Sequence, residues 1–222
     1  MNAKDITLTK LKVLVYGKSG VGKTMFASTF PRPYFFDFDN GMLSLKGKNI
    51  DYDTYDDIQK FEQKLKEFGV KCDYQTLVID SVTTMQEEMM RRILLLNRKI
   101  EPTLHEWMAL VRNMRDLFGR ITKFPQHIVV TAHEELVRDE ISGEILIQPL
   151  IVGKMANSLP IFYDECYRAQ VGRDKEGKPI YQIMTTATTK YTAKSRLGCL
   201  STVEVPDFNV IMEKTKKGGD KR

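Results

Sequence analysis

The octet Gly17-Lys18-Ser19-Gly20-Val21-Gly22-Lys23-Thr24 holds the residue types needed to grip a chain of phosphates. Glycines at 17, 20 and 22 let the backbone wrap close around an anion so that its N–H groups face it. Lys23 is placed to reach the β- and γ-phosphates, and the Thr24 hydroxyl to ligate magnesium. The octet follows an apolar run, Lys12 to Tyr16, and precedes a helical start, which is the context that turns the pattern into a site. The chemistry implied is binding of ATP or a close relative and its hydrolysis with Mg2+.

Hydrolysis also needs carboxylates near the phosphates. Asp80 closes the apolar run Thr76 to Ile79, at the strand end where ligands of open α/β sheets bind, and is the candidate to hold the magnesium shell. It could equally cap a helix beginning near Val82, as could Ser81. Asp37 and Asp39 end a second apolar run and share one side of it by alternation. Asp39 lies further out, so it is the expected base or water-orienting residue, with Asp37 in support; both could instead be turn formers before Asn40-Gly41. Thr131 and His133 end a fourth run, and His133 is the expected sensor of the γ-phosphate.

These groups require a scaffold that brings several strand ends together. The runs Lys12 to Tyr16, Tyr34 to Phe38, Thr76 to Ile79 and Ile128 to Thr131 read as buried strands of a mostly parallel α/β sheet. Helical stripes run through Ile58, Phe61, Leu65 and Phe68; through Val82, Met85, Met89, Ile93 and Leu96; and through Trp107, Leu110, Val111, Met114 and Leu117. The methionines and Trp107 are read as packing residues. Further on, two β-like runs flank Ser142-Gly143, Gly153 to Pro160 reads as a short helix, and Tyr163 to Ala169 and Pro179 to Thr186 read as strands.

The 222 residues, 42% hydrophobic and 28% charged, fit one compact domain, expected over residues 1–212. The net charge of +5 is concentrated at the end: residues 213–222 carry five positive and two negative charges and read as a disordered basic tail. Cys72, Cys166 and Cys199 form no metal-binding pair. No apolar stretch has the length of a signal peptide or a membrane span, so a soluble, cytoplasmic protein is expected.

In chain order, phosphate loop, second-strand acid, Asp80 and a polar fourth-strand tip resemble the RecA superfamily core. Lys194-Ser195-Arg196-Leu197-Gly198 is similar to the Lys-Asn-Arg-Phe-Gly motif of RadA-type ATPases, whose Lys and Arg act on nucleotide held by a neighbouring subunit. Ser195 and Leu197 depart from that motif, and Asp39 stands where the family often has Glu. With the short gap from Thr24 to Phe35, Pro149 to Lys154 and Phe162 to Arg168, the chain is most similar to small bacteriophage RecA-like recombinases of the Sak group.

That resemblance implies single-stranded DNA binding, annealing or pairing of strands, and assembly into a ring or filament, with a single-strand DNA-binding protein as a further candidate partner. Lys194 and Arg196 would then be fingers acting across subunits. DNA contacts would come from loops near Asn97 to Thr103 and Glu134 to Gly153, through Arg91, Arg92, Arg98, Lys99, Arg138 and Lys154. A competing resemblance, to ParA- or MinD-like dimeric switch ATPases, rests on Lys18 and on Phe36 to Asp39. A small-molecule kinase would need an arginine-rich lid that the sequence does not offer.

Overall fold

The computed structural model describes residues 2, 8–70, 72–138 and 143–219. Its first elements are β1 (Lys12–Tyr16), α1 (Lys23–Ala27), β2 (Pro33–Asp37), a 3-10 turn (Met42–Leu45) and β3 (Asp51–Thr54). α2 (Ile58–Val70), β4 (Thr76–Asp80), α3 (Val82–Leu96), α4 (Leu104–Ile121) and β5 (His127–Ala132) complete the amino-terminal half. Then follow a hairpin of β6 (Glu134–Arg138) and β7 (Ile145–Pro149), and α5 (Met155–Ser158) running into a 3-10 turn at Leu159–Phe162. β8 (Glu165–Arg173), β9 (Pro179–Met184), β10 (Lys194–Ser195), β11 (Val203–Glu204) and α6 (Phe208–Gly219) close the chain.

Among the described residues the main sheet has nine strands in the order β11-β9-β8-β1-β5-β4-β2-β3, with β10 paired to β8. β8, β1, β5, β4, β2 and β3 run parallel; β9, β10 and β11 are antiparallel additions. The central strands read as unbroken apolar runs because both faces are covered. Leu14, Tyr16, Leu77, Ile79, Ile128 and Val130 face a core built with α2, α3 and α4, which contribute Phe61, Met85 and Met114. Val13, Val15, Val78 and Val129 face a second core closed by Phe26 of α1 and Ile211 of α6. Alternation along each strand thus feeds two cores at once, and each fully buried side chain contributes about 1.5–3 kcal/mol.

Helix starts are set by local chemistry. Ser81 caps α3, its hydroxyl accepting from the Thr84 N–H at 3.4 Å. Thr103 and Glu106 form a capping box at the start of α4. Glu106 is fully buried and also takes the Asn97 amide at 2.9 Å and the Lys99 ammonium at 2.9 and 3.0 Å. The Thr103 hydroxyl, the Lys99 ammonium and the Thr103 N–H hold its carboxyl well below the ordinary glutamate range.

Two expectations are corrected here. The segment read as a tail from residue 213 continues α6 as far as Gly219, because Phe208 and Ile211 dock that helix and Lys214 binds the buried Glu204 at 2.6 Å. Residues 220–222 lie outside the described residues. Trp107 is not a core residue: the buried face of α4 runs through Glu106, Leu110, Met114, Leu117 and Phe118, leaving the indole 43% exposed at its margin. No helix among the described residues is long and apolar enough to cross a membrane.

Candidate active site

Because β1, β2, β4 and β5 are parallel and in register, with Tyr16 opposite Ala132 and Asp37 opposite Asp80, their carboxyl ends form one edge. The phosphate loop, Asp39, Asp80 and His133 all leave the sheet there. They line a cavity of about 970 Å³ that includes Ser19, Gly20, Gly22, Lys23 and Thr24 of the octet.

The loop conformation demands glycine at its first position. Gly17 has φ of 155°, and a Cβ there would lie 2.6 Å from the carbonyl oxygen of Ala169 on β8. Lys18 and Ser19 are exposed and Val21 is half-buried against the second core, so the loop shows backbone and polar side chains to the cavity. Lys23 is only 7% exposed, and its ammonium donates to the carbonyls of Gly17 at 3.0 Å and Lys18 at 2.8 Å. Burial pushes its pKa down, while Asp80, Asp39 and Glu134 draw it back up. A buried cation spanning its own loop is a group poised for an anion that can replace those two carbonyls.

Asp80 joins three elements. Its Oδ2 accepts from the Thr24 hydroxyl at 2.7 Å, its Oδ1 from the Thr131 hydroxyl on β5, and its backbone continues from β4. Burial raises its pKa, and the Thr131 and Thr24 hydroxyls act against that rise. A hydroxyl and a carboxylate in contact beside a phosphate loop suit Mg2+, which takes one or two protein oxygens and completes its shell with water and phosphate. Among the described residues no group of three or more His, Cys, Asp and Glu could form a separate metal cage.

The structure separates the two second-strand aspartates. Asp37 is 1% exposed, its Oδ1 accepts from the Gly41 N–H at 3.1 Å, and burial raises its pKa: it shapes the turn. Asp39 faces the cavity, with Oδ1 accepting from Ser81 Oγ at 2.9 Å and from the Thr84 hydroxyl, and Oδ2 lying 3.1 Å from His133 Nε2. Burial alone would raise its pKa, but the hydrogen bonds from His133, Thr84 and Ser81 outweigh it and leave the group below the ordinary aspartate value. A carboxylate has about four acceptor positions, so three partners leave room for one water. Asp39 is therefore an ionised group suited to orienting that water. Thr84 was missed in the sequence because nothing local distinguishes it from other helical threonines.

Lys194 and Arg196 lie at the opposite end of the sheet. β10 pairs antiparallel with the start of β8, and Arg196 Nη1 shares Asp164 Oδ1, at 3.2 Å, with Lys12, at 3.3 Å, where β1 begins. The phosphate loop leaves the other end of β1, about 16 Å away at 3.3 Å per residue. Lys194 spends its ammonium inside the chain, donating to the Pro160 carbonyl and to the Tyr163 carbonyl at 2.7 Å. Within the chain Lys194 thus braces the 3-10 turn after α5, whereas Arg196 keeps an exposed guanidinium.

The expected DNA contacts are also sorted. Arg91 is held by Glu88 at 2.7 and 2.8 Å and Lys99 by Glu106, so neither is an uncommitted cation. Arg92 is half-buried on α3, while Arg98 is exposed with φ of 52° and Arg138 is exposed on β6. Lys154 lines a groove of about 1000 Å³ beside α4, together with Trp107, Met108, Arg112 and Arg115.

Fold and site together define a P-loop ATPase. A family model described as an AAA domain matches residues 9–197, and the chain belongs to that family. No curated protein matches the chain. Lys23→Ala should abolish ATP binding measured by calorimetry, since the loop loses its only buried cation. Asp39→Asn should keep binding close to wild type and lower turnover about 10²- to 10⁴-fold. Unchanged ATP affinity in the first variant, or unchanged turnover in the second, would contradict the assignments.

Proposed function

We propose that this chain is a RecA-like, magnesium-dependent ATPase that binds single-stranded DNA, promotes its annealing or pairing, and works as a homo-oligomer. The observation that carries the DNA part is the groove between α4 and the segment following β7. Its lining is largely apolar, through exposed Leu104, Met108 and Leu150, and the half-exposed Trp107 offers a face for a base. Arg112, Arg115 and Lys154 supply positive charge, and the one acid in its lining, Glu135, is engaged by the Gln148 amide at 2.8 Å. An aromatic face beside cations suits a sequence-tolerant contact with a single strand.

The groove is also wired to the nucleotide site. Leu150 donates its N–H to the His133 carbonyl at 2.8 Å, and Thr83 ties both residues to α3, accepting from the His133 N–H at 3.0 Å and donating to the Leu150 carbonyl at 3.0 Å. A change at Asp39 and His133 on ATP binding therefore has a short covalent and hydrogen-bonded route to one wall of the groove. The dimeric-switch reading is disfavoured by α1, which spans five residues where such proteins use a long helix.

Trp107 is the only tryptophan, so its fluorescence reports directly on the groove. Titration with oligo-dT should quench it, and Arg112→Ala with Arg115→Ala should make the slope of log affinity against log salt shallower by about 1.4, at about 0.7 per lost phosphate contact. No quenching together with an unchanged slope would remove DNA from this groove.

Arg196, a strand length from its own phosphate loop, is proposed to serve the site of a neighbouring copy, where a guanidinium meets developing phosphate charge. Mixing Arg196→Ala with Lys23→Ala chains should then restore part of the ATPase activity that each lacks alone. Absence of recovery in mixtures that co-assemble would confine Arg196 to its ion pair with Asp164.

A further inference from the structure

The cavity that holds the phosphate loop has a volume of about 970 Å³, and its lining extends beyond the loop. Asp39 and His133 fix the end where the γ-phosphate and its attacking water belong, so the nucleoside must extend the other way from the loop. There the cavity is walled by Met25 on α1, Tyr181 on β9 and Pro206 after β11. Tyr181 stands against the loop itself: a Cβ added to Gly22 would lie 3.0 Å from its Cδ1. The ring is 47% exposed although it belongs to a folded strand, and Met25 is 42% exposed beside it. An aromatic face of this size left in solvent at a cavity wall is surface a planar ligand would cover.

We propose that Tyr181, with Pro206, is the platform on which the nucleotide base stacks, and that this platform does not discriminate between purines; the proposal rests on the nucleotide-site reading above. Base selection needs a polar group aimed at the base edge. At this end of the cavity the polar side chain available among the described residues is Thr29, and it is committed: its hydroxyl donates to the Phe26 carbonyl at 2.7 Å and accepts from the Phe208 N–H at 2.9 Å. Asn40 adjoins Asp39 in the chain, and Ser44 Oγ donates to the Gly41 carbonyl at 3.0 Å. Stacking recognises any π-face, so affinity comes from ring overlap and phosphate contacts rather than from the identity of the base.

The test is calorimetric affinity for Mg-ATP, Mg-GTP and Mg-tripolyphosphate, measured on wild type, Tyr181→Ala and Tyr181→Phe. Wild type should bind ATP and GTP within about threefold of each other, because stacking alone separates purines weakly. Tyr181→Ala should weaken both nucleotides about tenfold and leave tripolyphosphate unchanged, while Tyr181→Phe should match wild type. Equal weakening of tripolyphosphate would mean that the ring only props Gly22, and no weakening of any ligand would mean that it does nothing for binding; either overturns the platform. A wild-type preference of 30-fold or more for one purine would overturn the lack of discrimination. Wild type binding none of the three would overturn the nucleotide site and the platform together.

Discussion

The carboxylate of Asp80 is the point on which the active edge depends. It is buried at the carboxyl edge of the sheet, where an ionised group is costly unless donors surround it, and the two hydroxyls that meet it come from different elements: Thr24 from the start of α1 and Thr131 from β5. The contacts therefore fix the phosphate loop against β4 and β5 and set the distance between Lys23 and the carboxylates. The sheet order makes this geometry available, because β5 lies between β1 and β4 and brings Thr131 alongside Asp80.

From that point the site divides its charge. Lys23 is a desolvated cation bonded to neutral carbonyls, Asp39 a carboxylate kept ionised by three donors, and Asp37 a carboxyl removed from the cavity and used in a turn. The same residue type thus serves two purposes in one short segment, and the donors that Asp39 receives from α3 and β5 make the difference. The contacts among His133, Thr83 and Leu150 extend the arrangement to a second surface some distance from the phosphates, where cations and the exposed indole meet.

The octet and the strand that precedes it were legible because their chemistry is local: each residue acts through its own backbone or a side chain within the loop. The central strands were legible because burial on both faces demands unbroken apolar runs. Trp107 was not, since helical periodicity marks the centre of a buried stripe but not its margin, and rotation of the buried face to Glu106 and Leu110 decides whether the next position is wet. Lys99 read as a DNA contact because its partner Glu106 looks like a surface acid until the capping box buries it. α6 was hidden because its apolar residues end at Met212, too short a run to show helical periodicity, and tertiary packing through Phe208 and Ile211 then stabilises the helix. The intrachain contacts of Lys194 could not be placed at all without the pairing of β10 and β8, which sets its ammonium against the Tyr163 carbonyl.

The central claim is that Lys23 waits on the Gly17 and Lys18 carbonyls for a triphosphate that Thr24 and Asp80 hold with Mg2+. A crystal structure with a non-hydrolysable ATP analogue and Mg2+ tests it most directly. The account predicts the Lys23 ammonium within hydrogen-bonding distance of β- and γ-phosphate oxygens, with the ion between Thr24 and Asp80, directly or through water. An ammonium still bound to both carbonyls, with the triphosphate lying outside the loop, would contradict it.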